Sequence, residues 1–196
     1  MAIKLHALSG EAIAAVLPDL ARLRITVFRD WPYLYDGSEA YEREYLARFA
    51  AARGAVCVVA RDGEAIVGAS TAAPMAEEAP GFAAPFRAAG HDLANIFYCG
   101  ESVLLRAYRG QGIGHRFFDL REAHARALGG FSCTTFCRVI RAEDHPLRPA
   151  DYIPLDAFWR KRGYAPMPGF VTHYDWKDID QPEQTSHPME FWMKSL

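Results

Sequence analysis

The chain has 196 residues, of which 51% are hydrophobic and 23% are charged, and its formal net charge is -2. This composition fits one globular domain, residues 1–196, with ample material for a core. The near-neutral charge without a long basic run excludes the footprint of a nucleic-acid-binding protein. No apolar segment reaches the roughly 18 residues of a membrane span, and the N-terminal segment lacks the features of a signal peptide. We therefore expect a cytoplasmic protein with no nucleic-acid or membrane partner.

The first part of the chain predicts strands, helices and one hairpin. Apolar residues recur at helical spacing from Glu11 to Arg29. Pro18 within this pattern is expected to begin a second helix after a break at Leu17. The Asp-Gly pair in the turn 61–64 predicts a hairpin between two apolar runs. The predicted elements are strands at 3–7, 55–60 and 65–70, a linker at 30–37 and a helix through 41–49.

Residues 71–95 are rich in alanine, proline and glycine, which predicts a long functional or mobile loop with at most one short helix. Gly100 in the next strand predicts a β-bulge or a close backbone approach. Gly129 and Gly130 are expected to end the helix that follows residue 112. The other predicted elements are strands at 95–105, 131–140, 169–176 and 189–195, and a helix at 155–164. The order β-α-α-β-β-β-α-β-α-β-β predicts a mixed sheet with helices on both faces.

The four cysteines, Cys57, Cys99, Cys133 and Cys137, form no C-x-x-C pair, and three of them lie in apolar, strand-like runs. Reduced thiols that pack as small hydrophobes are favoured over disulfides or a metal site. No cluster of side chains has the spacing of metal ligands, so we expect no metal.

The segment "YRGQGIGHRFF" (108–118) places three glycines at alternate positions immediately before an amphipathic helix. The first turn of a helix has four backbone N–H groups without intrahelical partners, and the positive end of the helix dipole lies there. Such a segment favours an anion, most often a phosphate. A dinucleotide fingerprint and a P-loop do not fit, because His115 or Phe117 replaces the third glycine and no Gly-Lys-Ser/Thr triplet is present. Glycines needed only for a tight strand–helix turn are the alternative.

The pattern Arg109-x-x-Gly112-x-Gly114 between a strand and a helix resembles the acyl-CoA loop of the GNAT superfamily of N-acetyltransferases. The segment "FWRKRGY" (158–164) resembles the family's pattern at the end of its last helix, with Tyr164 in place of phenylalanine. The resemblance covers most of the chain and is strongest in 96–164. It implies an α/β (α+β) fold with a mixed, mostly antiparallel sheet of about seven strands, splayed between its central strands. It also implies acetyl-CoA as the co-substrate.

By this resemblance, backbone amides of the glycine loop bind the pyrophosphate of CoA, and the preceding strand offers main-chain groups to the pantetheine arm. A bulge at Gly100 and Glu101 would separate this strand from the strand at 131–140 and leave a wedge for the thioester. An ordinary buried strand with a glycine kink is the alternative. The implied cofactor-binding residues are Ser102, Val103, Leu104, Arg109, Gly110, Gln111, Gly112, Ile113, Gly114 and His115.

Acyl transfer to an amine needs a base, because a primary ammonium has a pKa of about 10.4. Glu101 is the first candidate because it lies on the strand at the wedge, and a solvated or salt-bridged carboxylate is the alternative. His145 is a further candidate, although it also fits a plain surface histidine. Many relatives have a tyrosine that protonates the leaving thiolate where this chain has Trp159, and an indole is not an acid near neutral pH. Tyr152 or water would then supply this proton.

Arg29, Trp31, Tyr33 and Tyr35 predict a cationic and aromatic lining for an acceptor pocket, which the family builds in part from the connection between its first helices. Such a lining suits a small acceptor with an aromatic, apolar or carboxylate portion. Aromatic residues that seal a helix–helix corner are the alternative. The apolar segment "EFWMKS" (190–195) is compatible with a homodimer or with completion of the chain's own sheet.

We therefore expect an acyl-CoA-dependent N-acyltransferase that transfers an acetyl group to a small-molecule or amino-acid-like amine by direct attack in a ternary complex. A catalytically silent CoA-binding sensor or interaction module is the first alternative, favoured by Trp159. A binder of another phosphate ligand is the second. The sequence does not identify the acceptor, because loops that line pockets vary most in such scaffolds.

Overall fold

A computed structural model describes residues 2–196, which form seven strands and five α-helices joined by short 3-10 segments. The strands are β1 (Lys4–Ser9), β2 (Val56–Asp62), β3 (Ala65–Pro74), β4 (Ile96–Leu104), β5 (Cys133–Val139), β6 (Ala165–Lys177) and β7 (Gln184–Ser195). They make one sheet in the order β1-β2-β3-β4-β5-β7-β6. Every neighbouring pair is antiparallel except β4 and β5. The predicted mixed, mostly antiparallel sheet is confirmed.

Helices cover both faces of the sheet. They are α1 (Leu17–Phe28), α2 (Glu39–Ala51), α3 (Pro80–Ala88), α4 (Ile113–Leu128) and α5 (Asp156–Lys161). The apolar sides of α1, α2 and α3 pack on one face, and those of α4 and α5 pack on the other. A 3-10 helix over Gly10–Val16 precedes α1, and Pro18 lies in the first turn of α1. The predicted helix break at Leu17 is therefore confirmed.

The prediction of a long loop at 71–95 is wrong, although the one short helix allowed within it is present as α3. Strand β3 continues to Pro74, and α3 with two short 3-10 turns fills most of the remaining length. Small residues at 71–73 are buried between neighbouring strands, and their composition hides the strand. Pro80 begins α3, where a missing amide costs nothing, and Ala83 and Phe86 bury its apolar side.

The sheet opens between its two central strands. β4 and β5 pair only over Ile96–Tyr98 and Cys133–Thr135, and the rest of β5 pairs with β7 alone. The register of β3 against β4 shifts so that Thr71 lies opposite two residues, Gly100 and Glu101. This is the predicted β-bulge, and a Cβ on Gly100 would lie 2.7 Å from the hydroxyl oxygen of Thr71. Beyond residue 98, β4 therefore has a free edge facing a wedge.

All four cysteines are free thiols, and only Cys133 is partly exposed. Burial raises the pKa of every one of these thiols, to about 12 for Cys57 and Cys137. They are therefore protonated at neutral pH and pack as small apolar groups. Within residues 2–196, we find no helix with the length and apolar content that crossing a bilayer requires.

Candidate active site

The glycine loop ends directly at the first turn of α4. Gly110 and Gly112 have φ values of 78° and 76°, a left-handed conformation that strains other residues. A Cβ at either position would meet no atom within 4 Å, so the backbone conformation and not crowding within the chain requires glycine there. Among residues 2–196, none accepts a hydrogen bond from the backbone amides of 110–115, and Arg116 is the first to donate, to the Gly112 carbonyl. The loop thus presents six free amides at the positive end of a 16-residue helix.

Side chains of the loop fix it to its surroundings. The Arg109 Nε donates to the Leu104 carbonyl at 3.2 Å, and the Gln111 amide donates to the Ala107 carbonyl. The His115 ring packs against Phe158, with the ring centroids 4.7 Å apart. Ile113 is buried in the core beneath α4. These contacts leave the amide row free while they hold the loop against β4 and α5.

The free edge of β4 presents main-chain groups to the wedge. The Leu105 amide donates to the Val67 carbonyl of β3 at 3.0 Å. Because main-chain groups alternate in direction along an antiparallel strand, those of Val103 also face β3, and those of Ser102 and Leu104 face the wedge. The Ser102 side chain is exposed. Of the three strand residues expected to bind pantetheine, Ser102 and Leu104 therefore have main-chain groups on the open side, although the Leu104 carbonyl already accepts from Arg109 Nε.

Glu101 takes part in a buried ion cluster on the face of the sheet that α1 and α2 cover. The Arg24 guanidinium of α1 lies between the carboxylates of Glu42 and Glu101, at N–O distances of 2.5 Å to each. The Tyr35 hydroxyl donates to Glu42 at 2.9 Å, and the Tyr45 hydroxyl lies 3.4 Å from Glu101. Burial lowers the pKa of Arg24, but Glu101, Tyr45 and Glu42 outweigh it, so this pKa lies above its ordinary value. Glu101 is thus an ion-paired carboxylate and not a solvated one.

A cavity of about 70 Å³ lies beside this cluster, between the sheet and helices α1, α2 and α3. The hydroxyls of Tyr41 and Tyr174 are hydrogen-bonded to each other across it, which links α2 to β6. Its wall is aromatic except for the ion pair, the bulge and one methionine. The lining residues are Arg24, Phe28, Tyr33, Tyr35, Tyr41, Tyr45, Phe82, Tyr98, Gly100, Glu101, Tyr174, Trp176 and Met189.

The structure divides the predicted acceptor residues into two pairs. Tyr33 and Tyr35 line the cavity. Arg29 is exposed and pairs with Asp36 at 3.1 Å, and neither Arg29 nor Trp31 is part of the lining. The cation of the cavity is instead Arg24, which lies on α1 itself and points inward. Arg29 comes just after the last residue of α1 and points to solvent.

Trp31 forms a second cluster with two predicted catalytic residues. Its ring lies 5.1 Å from that of His145 and 6.0 Å from that of Tyr152, measured between centroids. The His145 Nδ1 accepts a hydrogen bond from the Leu147 amide, and burial raises the pKa of Tyr152. Trp159 packs away from this cluster, against aromatic rings of β5 and β7. The loop after β5 thus brings His145 and Tyr152 together, but outside the cavity lining.

Glu78 is a functional candidate that the sequence reasoning missed. It lies between β3 and α3 and is half-buried. Burial and the charge of Glu101 raise its pKa to about 7, although Arg48 opposes the rise. A carboxyl with this pKa can exchange a proton at neutral pH. The only local signal was its place in the segment 71–95, because a glutamate that follows another glutamate in a predicted loop resembles a solvated one.

Arg121 supports the bulge from the α4 face and was also missed. Its guanidinium is 2% exposed and donates to the carbonyls of Thr71 and Glu101 at 3.2 and 3.3 Å. Positive charge therefore lies against the main chain of the bulge. Arg24 on the other face binds the side chain of the same glutamate.

The sequence model of the acetyltransferase (GNAT) family matches residues 20–148, more than half of the chain, and the chain belongs to this family. A comparison with curated proteins found no match. Solved structures agree in fold across nearly their whole length. Ribosomal-protein-alanine N-acetyltransferase from Brucella melitensis is 14% identical, with a TM-score of 0.63 and coverage of 98% of this chain and 99% of the other. Arabidopsis thaliana NAA60 in complex with acetyl-CoA is 12% identical, with a TM-score of 0.64 and coverage of 100% and 99%.

Proposed function

We propose that this protein is an acyl-CoA-dependent N-acyltransferase that transfers an acetyl group to a small-molecule amine. The observation that carries the proposal is the row of six free amides at 110–115, next to a strand edge that opens into a wedge. Membership of the acetyltransferase family supports it. The solved structure of an Elizabethkingia anophelis family member with acetyl-CoA bound, 12% identical with a TM-score of 0.54, has the same fold.

The residues present fit acetyl-CoA. Free amides and a helix dipole suit a diphosphate, and Gly110 and Gly112 let the main chain approach it without a Cβ in between. Residues 109–115 would hold the diphosphate, and the outward main-chain groups of Ser102 and Leu104 would bind the pantetheine arm. When bound, acetyl-CoA supplies the acyl group as a reactive thioester. The protein then has to hold the amine and manage its proton.

Two carboxyl groups can accept the proton of the ammonium. Glu101 lines the cavity beside the bulge, although Arg24 already binds one of its oxygens. Glu78, with its pKa raised to about 7, can take up the proton of the ammonium either directly or through a water molecule. On the leaving-group side, Tyr152 and His145 are the candidate proton donors.

The catalytically silent alternative rests on Trp159. This indole occupies the position of the usual general acid and packs at 5.0 Å from Phe136 and 5.3 Å from Trp192, so it has a complete structural role. A CoA-binding module without turnover would keep the loop at 110–115 and need no acid at this position.

Two measurements on the same protein separate these functions. Calorimetry with acetyl-CoA measures binding, and release of the CoA thiol in a panel of primary amines measures turnover. Binding with turnover is the expected result. If acetyl-CoA binds but none of the amines in the panel is acetylated, the silent module is favoured. If acetyl-CoA does not bind at millimolar concentration, both functions are overturned.

A further inference from the structure

The cavity beside Glu101 carries a charge that selects its ligand. Two carboxylates, Glu42 and Glu101, share the single guanidinium of Arg24, so the cluster has a formal charge of -1. The three residues are 0–7% exposed, which keeps this charge poorly screened. Burial raises the pKa of Tyr45 and Tyr98, so the neighbouring hydroxyls stay neutral and add no further negative charge.

One oxygen of the cluster is available to a ligand. Both Arg24 and Tyr45 contact Glu101 through Oε2, and no residue in the described range 2–196 donates to its Oε1. Glu101 lines the cavity, whereas Glu42 does not, and both oxygens of Glu42 are bonded, one to Arg24 and one to Tyr35. Glu101 Oε1 is not among the fully buried side-chain atoms that lack a partner, so it can accept a hydrogen bond from a ligand that brings a donor.

The rest of the wall suits a cation with an apolar body. Rings of tyrosine, phenylalanine and tryptophan line most of the cavity, and their faces attract positive charge. Arg24 already lies over two of them, with its guanidinium carbon 4.2 Å from the Tyr45 ring centroid and 5.2 Å from that of Phe28. The volume of about 70 Å³ is roughly half of the 150 Å³ cavity that holds benzene in a known case. Only a compact amine end fits inside.

We propose that this cavity makes the enzyme specific for primary aliphatic ammonium compounds without a carboxylate beside the amine, whose ammonium group donates to Glu101 Oε1. This inference rests on the proposed function and specifies its acceptor class. A carboxylate next to the amine would lie against a cluster of the same sign, and the single cation that could bind it is shared by two glutamates. Amino acids are therefore rejected although they carry the same amine.

The ligand side of the test uses pairs that differ by one carboxylate. Calorimetry of the intact protein compares isoamylamine with leucine and phenethylamine with phenylalanine, with and without CoA, and isoamyl alcohol serves as the uncharged control. We expect each amine to bind at least about tenfold more tightly than its amino acid and than the alcohol. Equal or tighter binding of the amino acid or the alcohol, or no binding of either amine at millimolar concentration, would overturn the inference.

The protein side compares two substitutions of equal charge. Glu101→Gln and Glu42→Gln each remove one negative charge from the cluster, but only the first changes a residue that lines the cavity. We expect the amine-to-amino-acid affinity ratio to fall to within about threefold of unity in Glu101→Gln, which loses both the charge and the oxygen that accepts from the ammonium. Glu42→Gln also makes the cluster neutral, so its ratio should fall as well, but its amine affinity should stay higher than that of Glu101→Gln because Glu101 is retained. An unchanged ratio in Glu101→Gln would contradict the proposal. If either variant does not fold, as judged by circular dichroism, the wild-type ligand pairs decide alone.

Turnover distinguishes this inference from the proposed function. If acetyl-CoA binds and leucine is acetylated as well as isoamylamine, the acceptor class is wrong and the transferase function stands. If acetyl-CoA does not bind but the amines do, the proposed function fails and the ammonium site stands.

Discussion

Gly100 lies in the bulge where β4 passes close to β3, with an ideal Cβ only 2.7 Å from the Thr71 hydroxyl oxygen. We predict that Gly100→Ala lowers the free energy of unfolding by about 1–3 kcal/mol, because the bulge must shift to relieve the overlap. Urea denaturation measures this loss. Gly114→Ala is the matched control, since its Cβ would lie 3.5 Å from Phe158 at ordinary contact distance. Equal losses in both variants would show that the close approach is not the cause.

Glu78 makes stability depend on pH. Its pKa is raised to about 7 in the folded protein, from 4.5, chiefly by burial. Between these values the folded state binds more protons than the unfolded state, so the free energy of unfolding falls as pH rises. We predict that Glu78→Gln is more stable than the wild type at pH 8 by about 1–3 kcal/mol and equal to it near pH 4.

The measurement is urea denaturation at both pH values, with Glu77→Gln as the control. Glu77 is the preceding residue and is exposed, so its substitution removes the same charge from the surface. A Glu78→Gln gain that is the same at both pH values would contradict a titration origin.

At the scale of the element, the glycine loop and α4 form one unit with a left-handed residue at its start. Gly112→Ala should weaken acetyl-CoA binding by about tenfold or more, because relief of the strained φ turns the amides away. Gly129→Ala is the control, since Gly129 ends the same helix with a φ of 75° and open space around its Cβ position. Calorimetry should find unchanged affinity in Gly129→Ala. A parallel loss of affinity would indicate a general defect of the helix.

One side chain of the loop after β5 holds that loop against the linker at 30–37, which contributes Tyr33 and Tyr35 to the cavity. Arg141 binds both oxygens of the buried Asp178 and donates to the carbonyls of Pro32 and Tyr33. We predict that Arg141→Met lowers the free energy of unfolding by about 3–5 kcal/mol, because the buried Asp178 loses its guanidinium and keeps only His187, whose Nε2 lies 3.4 Å from Oδ1. Thermal or urea denaturation measures this loss.

Arg138→Met is the control for this substitution. Arg138 lies on β5 and also pairs with two carboxylates, Asp156 and Glu190, but its side chain is 34% exposed. Its loss should cost at most about 1 kcal/mol, because solvent screens the pairs. A similar cost for both variants would mean that burial of Asp178 does not set the effect.

At the scale of the whole molecule, three residue pairs between β4 and β5 join the two halves of the sheet. A ligand that lies in the wedge and along the loop at 110–115 contacts both halves. At 100 times its dissociation constant, acetyl-CoA should add about 2.7 kcal/mol of stability. For a chain of this length, that raises Tm by about 5–10 °C. Differential scanning fluorimetry measures the shift, and an unchanged Tm in wild type at millimolar acetyl-CoA would contradict it.

Local patterns predicted the elements and the glycine loop well. Helical periodicity, the Asp-Gly turn and Pro18 depend on residues within a few positions of one another, so their physical causes are visible in the sequence. The bulge at Gly100 was predicted for the same reason. The segment 71–95 failed because buried alanines carry no periodic signal and its strand is completed by distant partners.

By itself, the sequence determined the glycine loop and the order of the elements apart from α3, because both depend on local conformation. Its motifs also indicated the acetyltransferase family. Only the tertiary structure decided what the cavity holds. Arg24, Glu42 and Glu101 come from two helices and a strand, and their ion pairs span up to 77 positions of the chain. In the sequence, a charge buried by such distant partners looks like a solvated helix residue, which is why Arg29 was predicted to line the cavity and Arg24, which does line it, was missed.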